Sequence, residues 1–228
     1  MKQNLPQGEE KELIDIGCGT GAFTIYAALK GYNALGLSWD ERNQTVARDR
    51  ALMCKAGTAK FDVQDVRKLD QRNDLINEFD VAICFENIEH IIDDGKLLRD
   101  ISGCLKPGGK LLMTAPSYDY KPISTGDAGP FNLIEDGGHV RKGYTEEQLS
   151  ILCKEAGLIC ESFSFCSGFS SQKITFLLRL ISKINHILGW LLTLPLRAIP
   201  PVLDPILFRM TEYPGYSICL VVQKKIES

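Results

Sequence analysis

A short apolar run, Leu13-Ile14-Asp15-Ile16, feeds three glycines at every second position: Gly17, Gly19 and Gly21. A strand ending this way continues as a tight turn, because glycine tolerates the left-handed backbone such a bend needs. The helix expected next, over 23–30, presents its free N–H groups to whatever the turn encloses. Apolar strand patterns then recur at 34–37, 59–63, 80–85 and 110–115, and helical patterns at 41–56, 68–77 and 95–105 fall between them. In the helix over 41–56, Val46, Leu52 and Met53 are expected to face inward. Strands separated by helices imply right-handed crossovers and a parallel sheet with helices on both faces. Such sheets bind ligands beyond the carboxyl ends of their strands, so the residues just after each strand carry the most functional weight.

At 228 residues the chain suits a single domain over 1–228. Its 26 Lys+Arg against 29 Asp+Glu, a net charge of −3, argue against a nucleic-acid partner. None of the eight cysteines forms a C-x-x-C pair, and Cys84 and Cys219 lie inside apolar runs. They read as reduced, buried small hydrophobes, which fits a cytoplasmic protein. The polar stretch 1–12 has no signal-peptide core. The longest charge-free apolar stretch, 184–196, contains Gly189 and Pro195 and falls short of a membrane span.

Beyond the fifth strand, residues 117–143 read as a long loop over the binding edge. A helix is expected at 146–156 and strands at 159–165 and 216–223. Between them, 173–209 sets Lys173, Arg179, Lys183, Arg197 and Arg209 against one acid, Asp204, among many apolar residues. Two readings stay open for this insertion. It is a helical pair packed as a lid over the substrate mouth, or an interfacial element resting peripherally on anionic lipid.

The glycine spacing is G-x-G-x-G rather than G-x-G-x-x-G, and Asp15 stands two residues ahead of the first glycine. A carboxylate there repels a pyrophosphate and suits a cationic group. This disfavours a nicotinamide dehydrogenase. Asp15-Ile-Gly-Cys-Gly-Thr-Gly21 resembles the first motif of the class I S-adenosylmethionine-dependent methyltransferases, and the likeness extends over 13–165 and 216–223. The resemblance implies an α/β, Rossmann-like seven-stranded sheet of order 3-2-1-4-5-7-6, with the last strand antiparallel. It also implies S-adenosyl-L-methionine as cofactor. The backbone at Gly17, Cys18, Gly19 and Gly21 would approach the methionine part, helped by Asp15. Family members usually end strand two with an acid for the ribose, but Ser38 stands there. A role for both Ser38 and the nearby Asp40 is expected, although Asp40 also reads as a simple helix N-cap. Asp65 would accept from the adenine amino group, and the Val66 N–H would meet a ring nitrogen. Phe85 and Glu86 would line the cofactor or substrate pocket. Family members also carry a lid ahead of strand one; with twelve residues there, either another segment is the expected cover, with 173–209 the natural candidate, or the reading frame begins late.

Glu86-x-x-Glu89-His90, followed later by His139, resembles a pattern in two metal-using O-methyltransferase groups, one acting on ubiquinone precursors and one on RNA 2′-hydroxyls. The set Glu86, Glu89, His90 and His139 suits Mg²⁺ or Mn²⁺. His90 or His139 would otherwise serve as a metal-free general base, or the group is structural. His139 and Arg141 on one loop would pair a base with an anion-binding group. The function expected is S-adenosylmethionine-dependent O-methylation of a small, partly apolar or lipid-linked acceptor, such as a quinone precursor or saccharide intermediate. The alternatives are a non-catalytic cofactor-binding or partner subunit, and an RNA 2′-O-methyltransferase.

Overall fold

The computed structural model describes residues 5–226. Seven strands form one sheet in the order β3-β2-β1-β4-β5-β7-β6. They are β1 (Glu12–Ile16), β2 (Asn33–Ser38), β3 (Ala59–Val63), β4 (Phe79–Phe85), β5 (Leu105–Pro116), β6 (Leu158–Cys166) and β7 (Ser217–Lys224). The first five run parallel, and β7 is antiparallel to both β5 and β6. This is the expected order and polarity. It places the ends of β1, β2, β3 and β4 along one edge.

Period-two alternation divides the interior into two cores. Leu13, Ile83 and Leu112 belong to one; Ile14, Ile16, Cys84, Leu111 and Met113 belong to the other. The first core is completed by α1 (Ala22–Leu29) and α2 (Glu41–Met53), the second by α3 (Asp94–Cys104) and α4 (Glu146–Glu155). Helices thus lie on both faces.

The inward face of α2 differs from expectation. Leu52 and Met53 are 78% and 83% exposed and Val46 is also exposed, while Gln44, Ala47 and Ala51 are buried. The reason is room. A Cβ on Gly21 would lie 2.8 Å from the Ala47 methyl, so position 47, where α2 crosses the glycine turn, has room only for a small side chain. The helix expected at 68–77 becomes two short 3₁₀ turns, Val66–Gln71 and Asn73–Leu75. The insertion forms three helices rather than two: α5 (Phe169–Ser182), α6 (His186–Thr193) and α7 (Pro200–Met210). Among the described residues no single helix is long and apolar enough to cross a membrane. One pair, His186–Ala198 with Pro200–Met210, passes that test together but is bent by 61°.

Candidate functional site

The turn after β1 holds Gly17 at φ +78°, Gly19 at +52° and Gly21 at +78°, a backbone that L side chains resist. A Cβ on Gly17 would sit 2.2 Å from Asn87 Nδ2. That amide donates to the Ile16 carbonyl at 3.2 Å and ties the end of β4 to the end of β1. A Cβ on Gly19 would meet nothing within 4 Å. Gly19 faces a cavity of about 360 Å³ walled by Gly17, Ser38, Trp39, Asp65, Val66 and Asn87, with His90 at one side and 135–137 from the long loop at another. Gly21 packs against Phe61 and Ala47 instead.

Asp15 lies beneath this turn, buried, and accepts from Thr24 Oγ1 at 2.7 Å. Burial pushes its carboxyl up to about 6, partly offset by the Thr24 hydrogen bonds. Cys18 is also buried rather than in the cavity wall. Burial, and then the Asp15 charge, push its thiol up to about 12, so it is an inert packing group.

Ser38, Asp65 and Val66 reach the cavity. Asp40 is not part of its wall. The Asp40 carboxylate caps α2, accepting from the Arg42 backbone N–H at 2.9 Å and from its guanidinium at 3.2 and 3.0 Å. Asp65 accepts from the Arg67 guanidinium, at distances down to 2.7 Å, which holds its carboxyl below the usual range. Arg67 also reaches Glu135 at 2.6 Å, and Glu135 accepts from the Ile92 N–H. One guanidinium thus latches the long loop over the cavity.

A second cavity, of about 560 Å³, opens beside the first. Phe85 lies here, in edge contact with Phe23 at 4.8 Å, not in the glycine cavity. Thr114, Tyr216 and Ser217 come from β5 and the start of β7, and Thr175 and Arg179 from α5. Arg179 donates to Asp127 and Ser124 of the long loop. Glu86 turns into this cavity from a left-handed backbone, φ +48°, while the next residue, Asn87, turns into the glycine cavity. Strained non-glycine backbone of this kind persists only where the surroundings over-determine it.

Of the four expected metal ligands, three converge. Nε2 of His90 and of His139 lie 3.7 and 4.0 Å from Glu89 Oε1, and the two imidazoles meet edge to face at 4.8 Å. Glu86 is outside this group. Glu89 is fully buried, and neither of its oxygens has a hydrogen-bond partner. Burial, then the neighbouring Glu86 charge, raise its carboxyl to about 8. His139 is lowered, by burial and then by His90. The long loop delivers His139 because the Val140 N–H donates to the Glu89 carbonyl at 3.0 Å. An O,N,N donor set with an unpaired buried carboxylate fits a small divalent cation, while at 3.7 and 4.0 Å neither imidazole is within hydrogen-bond reach of that carboxylate.

Arg141 is not an open anion site. Its guanidinium pairs with Asp94 and donates to the Ile91 and Ile92 carbonyls, pinning the loop to the chain ahead of α3. The expectations missed Trp39, Asn87 and Glu135. Trp39, next to Ser38, was visible as an aromatic just past a strand. Asn87 and Glu135 gave no local signal, since each acts through a partner distant in sequence.

Residues 2–162 match the methyltransferase-domain family. A ubiquinone biosynthesis O-methyltransferase of Pseudomonas aeruginosa (strain UCBPP-PA14) is 29% identical over 152 residues, covering 65% of this chain and 64% of that relative. The corresponding protein of Hydrogenovibrio crunogenus is 25% identical over 154 residues, covering 66% and 63%. The chain therefore spans somewhat under two thirds of these relatives' length. A SAM-dependent methyltransferase from Methanosarcina mazei superposes with a TM-score of 0.62 at 16% identity, covering 99% of this chain and 97% of that one. The cyclase SpnF superposes with a TM-score of 0.63 at 18% identity, covering 96% and 76%. At such identities the likeness is one of fold, and one fold hosts more than one chemistry.

Proposed function

The chain belongs to the methyltransferase-domain family, and from that premise we propose that it methylates an oxygen of a small, partly apolar or lipid-linked acceptor, using S-adenosyl-L-methionine. A quinone precursor fits best; a saccharide intermediate is the other acceptor class. The observation that carries this is the divergence of Glu86 and Asn87, which sets a cavity for the donor and a cavity for the acceptor on either side of one turn.

The donor cavity suits the cofactor. Its volume lies in the range of small-ligand sites, Gly19 leaves open space, and Asp15, ionised near neutrality, lies beneath the turn where a cationic group would sit. Ser38 would serve the ribose side, and Asp65 and Val66 the base edge. The bound cofactor supplies the activated methyl group. The chain's own work is to position the acceptor and remove its proton. Phe23 and Phe85 give the acceptor cavity an apolar wall, and Thr114, Ser217 and Arg179 give it polar anchors. His90 borders the donor cavity rather than the acceptor cavity, so an imidazole of His90 or His139 would take the proton only from an acceptor oxygen that reaches the donor side of the turn; the lowered His139 favours the neutral form. Alternatively Glu89, His90 and His139 would hold Mg²⁺ or Mn²⁺, which lowers the acceptor's own pKa. Residues 173–209 would act as the lid of a single domain, since Thr175 and Arg179 of α5 wall the acceptor cavity.

Peripheral membrane contact belongs to the same reading. Ile184 is 86% exposed, and Ile187, Leu191, Val202 and Met210 are also exposed, close in sequence to Lys183, Arg197 and Arg209. Apolar groups ringed by cations suit an anionic bilayer. The protein would then work in the cytoplasm at the membrane surface.

The test is calorimetric titration with S-adenosylmethionine and a labelled-methyl assay over phenol and sugar acceptors, with and without chelator. Micromolar binding and transfer to oxygen are expected. Binding without any transfer would leave a cofactor-binding subunit. Transfer that survives thorough chelation would remove the metal reading. Co-sedimentation with anionic but not neutral vesicles checks the membrane contact.

A further inference from the structure

A groove of about 670 Å³ runs between α5 and α7, outside both cavities already described. Its apolar wall comes from Phe165 of β6, Ile174 and Leu178 of α5, and Pro201, Pro205 and Phe208 of α7, while Ser171, Arg197 and Asp204 add polar groups. It is not isolated. Cys166, Ser167 and Thr175 line both this groove and the acceptor cavity, so the two spaces meet across the end of β6 and one turn of α5.

The geometry points to this groove as a second subsite of the acceptor, one that holds a single apolar chain attached to the head group methylated next door. The inference rests on the acceptor reading above and adds a place for the tail.

Asp204 is the one acid in the groove wall, and it is already satisfied. It accepts from the Ser170 N–H at 2.8 Å and hydroxyl at 2.6 Å, and from the Ser171 N–H at 3.2 Å and hydroxyl at 2.6 Å. A carboxylate so engaged lowers its own free energy without water in the groove, and therefore does not oppose an apolar occupant. The same bonds fix α7 against the start of α5 and hold the groove's width. Close approach is needed for this: a Cβ on Gly168 would lie 2.8 Å from Asp204 Cγ. At the other end, Arg197 lines the groove and stacks 3.9 Å over Trp190, and Pro201 is followed by exposed Val202. The groove thus leads from the acceptor cavity to the exposed apolar, cation-flanked face, the route a chain takes when its head leaves a bilayer and its end trails behind.

The experiment uses the full chain saturated with S-adenosylhomocysteine and a series of catechols bearing unbranched alkyl chains of increasing length, read by calorimetry. Affinity is expected to rise about fourfold for each added methylene until the groove is filled. In Ile174→Trp and, on the facing helix, Pro201→Trp, a bulky ring occupies the space, and the gain from chain to chainless catechol is expected to fall at least tenfold. An affinity independent of chain length in the unaltered protein overturns the groove assignment. So does an equal effect from chainless catechol plus free n-alkanol, which marks a site for separate lipid. If the chainless catechol binds and the chain adds nothing, only the groove is lost. If neither catechol binds while S-adenosylhomocysteine does, the acceptor reading itself is lost.

Discussion

Glu89→Gln isolates the most unusual electrostatic feature of the site. In the folded chain the Glu89 carboxyl is raised from an ordinary 4.5 to about 8, because it is buried and faces Glu86. Between those two values the folded state keeps a proton that the unfolded chain gives up. The stability that goes with the buried neutral acid is therefore whole below about pH 4.5, declines through the neutral range, and is gone above about pH 8. Each pH unit inside this window is worth about 1.4 kcal/mol. Glu86, His90, His139 and Arg141 share the surroundings and soften the effect, so about 2 kcal/mol between pH 6 and pH 8 is a reasonable size. Glutamine keeps the shape and removes the titration. Urea unfolding followed by tryptophan fluorescence, in chelator, at several pH values, compares the two proteins. The cost of a buried amide is independent of pH and drops out of the slope. The advantage of Glu89→Gln over the parent should grow by about 2 kcal/mol as pH rises from 6 to 8. Adding Mn²⁺ should flatten the parent's decline if Glu89, His90 and His139 take up the ion, because a cation favours the ionised carboxylate. A difference between the two proteins that stays constant over this range would refute the picture of a buried, unpartnered carboxyl.

Four further outcomes are expected. Gly17→Ala forces a side chain into a left-handed backbone and against Asn87, so affinity for S-adenosylmethionine should fall about tenfold or more, at about 1–2 kcal/mol for the backbone alone; unchanged calorimetric affinity sinks the cavity assignment. Asp15 is raised to about 6, so cofactor affinity should drop as pH falls through that value and its carboxylate takes a proton, while Asp15→Asn should bind weakly with a flat pH profile. Arg179→Ala should raise KM for the acceptor about fivefold without changing cofactor affinity, and its half-exposed ion pair with Asp127 is worth about 1 kcal/mol or less, so the melting temperature should barely move. Asp204→Ala strands the Ser170 and Ser171 donors, and hydrogen exchange in α7 should accelerate about 100-fold, corresponding to about 3 kcal/mol of local opening; exchange at the parent's rate would show that the carboxylate does not hold α7 in place.

Much of the sheet could be read directly. Residues 81–85 are an unbroken apolar run and 13–16 one broken only by Asp15, the pattern of strands covered on both faces, and Gly17 to Gly21 marked the turn where the cavity lies. The interior of α2 could not be read that way. Ala47 and Ala51 carry no strong hydrophobic signal, whereas Leu52 and Met53 carry a misleading one and end exposed. Size, not hydrophobicity, was the constraint there, and size depends on what crosses the helix. Asp40 read both as a ribose contact and as a helix cap, and Arg141 looked free in sequence. The folded chain uses one for a helix cap and the other for a loop clamp.

What local order dictates is a strand, a glycine bend, a helix, and their repetition, since these follow from backbone sterics and the spacing of apolar residues within a few positions. That was enough to fix the fold class and the edge on which a ligand binds. Tertiary structure alone decided which polar groups share a volume. Glu86 and Glu89 are three apart, yet the left-handed turn at Glu86 sends one to the acceptor cavity and leaves the other buried beside His139. The groove between α5 and α7 likewise involves a link across 34 residues, from Asp204 to Ser170. Convergence over such distances is set by packing, and packing depends on the whole chain at once.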